Sequence, residues 1–296
     1  MSRRFAFICL VTILLATSLA AQDFDAVEIE ATHVAGGIHM LEGAGGNIGV
    51  SVGEDGILII DDQFAPLADK IRAALGKLGE GKLRFVLNTH WHGDHVGGNP
   101  VFGGEATIVA HDNVRQRLST RQEMRGRVTE PMERVGLPTI TFDDDLTIHF
   151  NDETIRVVHF PAAHTDGDSV VFFTGSNVVH MGDTMFSGRF PFVDHASGGS
   201  VLGLIEMVGK LLAEIPGNAR IIPGHGPLSD VDDLKAYHEM LSTTLAPVEK
   251  AVAEGKSLDE IKEAGVPEKW RDYDWRFISA DRWLETLHTE VTGKHR

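Results

Sequence analysis

Cysteine is all but missing from this chain: Cys9 is the single one in 296 residues. It lies in an N-terminal apolar run, so a disulfide framework is excluded and the rest of the chain has no thiol. Basic residues are scarce, 27 Lys plus Arg against 43 Asp plus Glu, a formal charge of −16. With no basic patch, such a surface repels phosphate backbones, and nucleic acid is not expected as a partner. The same acidity keeps an exported protein soluble. Long apolar runs are absent too, with one exception. Residues 5–19 carry no charge, follow Arg3 and Arg4, and lead into Ser18-Leu19-Ala20-Ala21-Gln22. Basic, then apolar, then small is the order of a secretory leader, so residues 1–21 read as a signal peptide cleaved near Ala20 or Ala21. The expected location is the periplasm or outside the cell. The run is too short for a membrane span, and a retained anchor is the alternative. Too little apolar sequence precedes Cys9 for a lipoprotein. Loss of Arg3 and Arg4 would take the charge from −16 to −18.

What the sequence does have is histidine in company. The segment Asn88-Thr89-His90-Trp91-His92-Gly93-Asp94-His95 is followed downstream by Ala163-His164-Thr165, Gly182-Asp183-Thr184 and Pro223-Gly224-His225-Gly226. Residues 84–88 read as a short buried strand, which puts the cluster on a loop at a strand end, where α/β folds place ligands. In an extended loop, residues two apart point the same way. His90 and His92 therefore grip one ion, and Asp94 and His95 face a neighbouring position. Imidazole nitrogen at roughly 2.0–2.1 Å and carboxylate oxygen at about 2.0–2.2 Å suit Zn(II); the same donors suit Fe(II) or Mn(II). Two ions about 3.5–4 Å apart would hold a bridging hydroxide, made near neutral pH without a serine or cysteine nucleophile. Taken singly, each histidine would be an exposed or structural residue, and Asp183 a cap for the segment after it. The combination is what points to metal. The other histidines, such as His33, His111 and His195, have no ligand-like neighbours and read as structural or surface residues.

In order and spacing these segments resemble the metallo-β-lactamase superfamily of hydrolases, over about residues 36–227. The resemblance implies an α/β fold, a four-layered αββα sandwich with the metals at one edge between the sheets. It implies His90, His92 and His164 on a first metal, Asp94, His95 and His225 on a second, Asp183 bridging them, and two zinc ions per chain. Some β-lactamases of the family place a cysteine on the second zinc, with a lysine three residues later; here those places hold Asp183 and Phe186. The Asp94-His95 pair with Asp183 is more similar to the glyoxalase II and lactonase branches, while an exported protein suits a β-lactamase better.

The sequence is long enough for one large core, and the motifs are spread over most of it, so a single catalytic domain is expected. It spans residues 22–228, with residues 229–296 as a C-terminal helical extension of the same domain. Residues 34–62 read as successive strands with turns at Gly36-Gly37, Gly43-Ala44-Gly45-Gly46 and Glu54-Asp55-Gly56. Residues 66–78 have apolar positions at helical spacing behind Pro66. A strand at 106–110 and a helix at 113–121 follow, and the charged segment 122–134 is a lid or an exposed connector. Residues 139–150, 154–160, 169–174 and 177–181 are strands of a second sheet. A helix at 201–214 is interrupted by Gly209, and a strand at 220–222 delivers His225. Beyond Asp230 the chain turns helical, with Leu234, Tyr237, His238, Leu241 and Leu245 on one face. A capping box starts at Ser257 and a last helix at Ser279 buries Trp283, Leu284 and Leu287. Trp270, Tyr273 and Trp275 either pack that appendage onto the core or line a cleft.

The expected function is metal-assisted hydrolysis, the bridging hydroxide attacking a carbonyl of a cyclic or activated small acyl substrate: β-lactam, lactone or thioester. Asp94 orients the nucleophile and shuttles its proton. Arg189, six residues after Asp183, either pairs with a substrate carboxylate or is a surface arginine. The alternatives are a mononuclear iron enzyme of the same fold, oxidising sulfur species, and a non-catalytic zinc-binding periplasmic protein. The second fits the site poorly, because structural zinc sites are closed by four ligands.

Overall fold

A computed structural model describes residues 23–124 and 126–293, so the N-terminal leader expected at residues 1–21 lies outside the described residues. Two sheets face each other. The first runs β1(Glu30–Ala35), β2(Ile38–Glu42), β3(Ile48–Gly53), β4(Gly56–Ile60), β5(Leu83–Leu87), β6(Thr107–His111) and β9(Ile140–Phe142). The small two-stranded hairpin β7(Gln122–Met124)–β8(Arg127–Thr129) stands apart from it. The second sheet runs β10(Asp145–Phe150), β11(Glu153–His159), β12(Ser169–Phe173), β13(Val178–Phe186), β14(Arg220–His225) and β15(Ser229–Asp230). The helices are α1(Ala68–Leu78), α2(Gly93–Val96), α3(Asn99–Phe102), α4(Asp112–Leu118), α5(Val201–Glu214), α6(Val231–Ala253), α7(Leu258–Ala264) and α8(Ala280–Thr292). No helix among the described residues is long and apolar enough to cross a membrane.

The four layers follow from side-chain alternation along strands buried on both faces. In β4, Leu58 and Ile60 point inward to the layer between the sheets, where they meet Ile155, Val157, Val171 and Phe173. Ile57 and Ile59 point outward onto Ile71 and Leu75 of α1. The second sheet does the same with Val179, Met181 and Ile221 against α5 and α6. The core on that side is continuous from Val170 through Leu204 and Tyr237 to Trp283 and Leu287. The C-terminal helices therefore share the sandwich's own core.

Several boundaries differ from the sequence reading. Residues 139–150 are two strands in different sheets, β9 parallel to β6 and β10 antiparallel to β11. The chain crosses between layers at Asp143 and Asp144. The strand expected at 177–181 continues to Phe186, so Asp183 lies within β13 and not after it. Its pairing with β14 slips between His180 and Gly182. The helix α5 runs through Gly209 without a break. Residues 122–134, left open between a lid and an exposed connector, hold the hairpin β7–β8 followed by a connector against α3 and α4. Ser257 and Ser279 are N-caps as the sequence indicates, the first with its full capping box to Glu260.

Candidate metal centre

The parallel strands end where the motifs begin. β5 opens into the His90–His95 loop, β13 carries Asp183, and β14 ends at His225. All seven sequence-nominated residues converge there in two groups: His90, His92, His164 with Asp183, and Asp94, His95 with His225. In the first, His164 Nε2 lies 2.8 Å from His92 Nδ1 and 3.5 Å from Asp183 Oδ2, and His90 Nε2 is 3.9 Å from that same oxygen. In the second, Asp183 Oδ1 is 3.0 Å from His95 Nε2 and 3.4 Å from His225 Nε2. Asp94 Oδ2 is 3.3 Å from His225 Nε2 and 3.9 Å from His95 Nε2. One carboxylate thus turns one oxygen to each group of histidines.

The donors fit metal ions better than they fit one another. His90 Nε2, His95 Nε2 and Asp183 Oδ1 are buried with no hydrogen-bond partner. His95 Nε2 and Asp183 Oδ1 are close but lack hydrogen-bond geometry, as expected of atoms aimed at a common ion. Leaving such groups unsatisfied would cost about 1–3 kcal/mol each, more when charged. Two glycines make the room. A Cβ on Gly46 would sit 2.0 Å from His95 Cε1, and one on Gly224 would sit 2.1 Å from Asp183 Oδ1.

The outer nitrogens of four of the five histidines are held by the protein, which fixes ring orientation and tautomer. His95 Nδ1 donates to Asp61 Oδ2 at 2.7 Å, and His92 Nε2 donates to Asp194 Oδ2 at 3.0 Å. His164 Nδ1 donates to the Phe192 carbonyl at 2.7 Å. His90 Nδ1 donates to Thr89 Oγ1 at 3.0 Å, and that hydroxyl donates on to Asp61 Oδ2 at 2.8 Å. Asp168 Oδ2 receives the His164 and Thr165 backbone N–H groups, which shapes the loop. Sequence reasoning missed Asp61, Asp194, Asp168 and Thr89. The available signal was Asp61-Asp62 closing an apolar strand, two acids in a place with no reason to be wet. His33, His111 and His195 bond to the Gly36, Asp143 and Gly199 carbonyls, away from the centre.

Because Asp194 holds His92 by its far nitrogen, Asp194→Ala is expected to weaken metal affinity by about 10–100-fold while the fold persists. Competition with a chelator measures this. Unchanged affinity would remove Asp194 from the centre.

Charge divides the two groups. Burial drives His90 well below its ordinary pKa and His164 down to about 4, so both are neutral at pH 7. In the second group burial acts the same way, but Asp183 and Asp94, joined at His95 by Asp61, outweigh it. They raise His225 to about 9 and His95 well above its usual value. Burial favours the protonated acids, yet His95 and His225 hold Asp183 and Asp94 ionised, far below the carboxylate range. In the metal-free protein His95 and His225 therefore carry protons that a cation must displace. Zinc affinity should rise as the pH rises through about 9, where His225 gives up its proton, and the second group should empty first on acidification. Calorimetry in buffers of different ionisation enthalpy would show proton release on binding at pH 7; no release would contradict this charge pattern.

Aromatic rings line the approach. Phe192 lies 5.6 Å from the His92 ring and 5.6 Å from Phe277. Phe277 is 5.7 Å from Trp275, which is 5.9 Å from His225. The open alternative for the C-terminal aromatics thus resolves by residue. Trp270 is buried and donates to Thr243 in α6, whereas Trp275 reaches the centre. Arg189 is placed over the Trp275 ring at 5.1 Å, beside the cleft rather than among the seven convergent residues.

Residues 42–239 match the metallo-beta-lactamase superfamily, two thirds of the chain. The chain belongs to that superfamily. It is 30% identical over 158 residues to a hydroxyacylglutathione hydrolase of Gloeobacter violaceus, covering 53% of this chain and 55% of that protein. The chain spans about half the length, or less, of the first such relatives it matches. The DIM-1 metallo-beta-lactamase crystal structure shares the fold, with TM-score 0.61 and 18% identity over 73% of this chain and 99% of the other. A sec-alkyl sulfatase, PisA1 double mutant, superposes with TM-score 0.69 and 13% identity over 92% of this chain and 51% of that one.

Proposed function

We propose that the chain is an exported, dinuclear zinc-dependent hydrolase of small cyclic or activated acyl substrates: lactones, thioesters or β-lactams. The observation that carries this reading is Asp183, whose two oxygens divide between the two groups of histidines. Membership of a metal-dependent hydrolase superfamily supports it, as does the hydroxyacylglutathione hydrolase relative. His90, His92 and His164 would hold one ion, Asp94, His95 and His225 the other, with Asp183 shared. Bound there, the ions supply an acidified water and positive charge for the carbonyl oxygen.

The chain's own groups do the rest. Asp94 stays ionised and its side chain is 34% exposed, so Oδ2 at the mouth can orient an attacking water and take its proton. The Asp61 and Asp194 carboxylates keep the imidazoles in the tautomers that leave Nε2 of His95 and Nδ1 of His92 free. The Phe192, Phe277 and Trp275 rings keep bulk water from one side of the substrate, which strengthens the electrostatics inside.

Arg189 is the contact for anionic substrate groups in this reading. Arg189→Ala should raise KM for carboxylate-bearing substrates and leave neutral ones alone; equal effects on both would take it out of the pocket. The general test is an assay of the zinc-loaded protein on a thioester, a lactone and a chromogenic β-lactam. Turnover of at least one, abolished by chelator, is expected, and turnover of none would overturn the reading.

A further inference from the structure

A cavity of about 460 Å³ opens beside the centre, walled by Trp91, Val96, Pro100, Leu118 and Met132 and closed on one side by the β7–β8 hairpin. This size falls in the range of small-molecule sites, about 300–1,000 Å³. His92 belongs to both places: its Nδ1 faces the first group of donors, and the residue lines the cavity together with Trp91 and Gly93. In front of Gly93 the space is open, since a Cβ there would meet nothing within 4 Å. A substrate held at the centre therefore has room to extend past Gly93 into the cavity.

The wall's chemistry selects what enters. Its one arginine or lysine among the described residues, Arg117, is taken. Nε and Nη2 donate to the two oxygens of Asp166 at 2.7 and 2.6 Å, Nη1 donates to Gln122, and the guanidinium lies over the Trp91 ring. The other charged lining residues are Glu133 and Glu130, the latter paired with Arg121 at 3.6 Å. An uncharged apolar tail would lie against the Trp91, Val96, Pro100, Leu118 and Met132 side chains.

We propose that this cavity is the acyl-chain site, selecting substrates with an uncharged medium-length alkyl or aryl group over small acyl groups. The inference rests on the hydrolase reading for its substrate, but its binding test does not.

Two measurements decide it. Calorimetry on the zinc-loaded chain compares octanamide with acetamide, and steady-state kinetics compares octanoyl and acetyl thioesters of one neutral thiol. Each enclosed methylene is worth about fourfold, so octanamide should bind at least tenfold tighter than acetamide, and the octanoyl-to-acetyl ratio of kcat/KM should exceed ten. Met132→Trp fills the cavity and should bring both ratios near one. Thr129→Trp, at an exposed position on the rim, does the same without touching the packed wall, should the first variant misfold. Octanamide binding that Met132→Trp abolishes, without any thioester turnover, would support the pocket and remove the hydrolase reading. Turnover with a chain-length ratio near one, unmoved by either tryptophan, would overturn the pocket and leave the hydrolase reading in place.

Discussion

Asp183→Ala should cost at least a hundredfold in kcat/KM and one of two bound metals. The reason is geometric. Its Oδ1 faces His95 and His225 and its Oδ2 faces His90 and His164, so no other side chain can replace it as a shared anion. Loss of a residue that only orients a ligand costs about 10–100-fold, and loss of the shared ligand should exceed that. The variant also removes one of the charges that raise His95 and His225 in the empty site, so their pKa values fall. Metal analysis of the purified variant together with kinetics checks this; two metals and near-normal turnover would sink the bridging role.

The second large effect is on stability. Asp61 is fully buried and accepts three hydrogen bonds, from Thr89 N, Thr89 Oγ1 and His95 Nδ1. It ties β4, the β5 exit and the metal loop together. Asp61→Ala leaves the His95 and Thr89 donors buried without an acceptor, and breaking a buried pair in this way costs about 3–5 kcal/mol. At about 2–4 °C per kcal/mol for a chain near this size, the melting temperature should fall by on the order of 10 °C. A thermal melt of the metal-free variant beside the parent measures it. A fall of only a degree or two would mean that Asp61 serves the metal alone.

The seven convergent residues were legible because each is a donor set beside glycine or aspartate at or near the end of a strand, a pattern that neighbours in sequence reveal. The layer order was legible less fully. Residues 139–150 read as one strand because alternation has the same period in either sheet, and nothing local says that Asp143 and Asp144 carry the chain from one to the other. Asp194 gave no signal and Asp61 only an ambiguous one, for a related reason. An acid after an apolar strand looks like exposed loop charge until its partner is known, and His95 lies 34 positions from Asp61 while His92 lies 102 from Asp194. Trp275 shows the same limit: composition marks an aromatic cluster, and only the fold brings one of its rings against His225 and leaves Trp270 on α6.

The most direct test of the account is the metal content of the purified chain by elemental mass spectrometry, read together with chelator sensitivity of hydrolysis. Two zinc ions per chain, with turnover lost on chelation and regained on zinc addition, is the result expected from the divided Asp183 and the unpaired nitrogens of His90 and His95. A single iron per chain, or hydrolysis that survives complete metal removal, would contradict it.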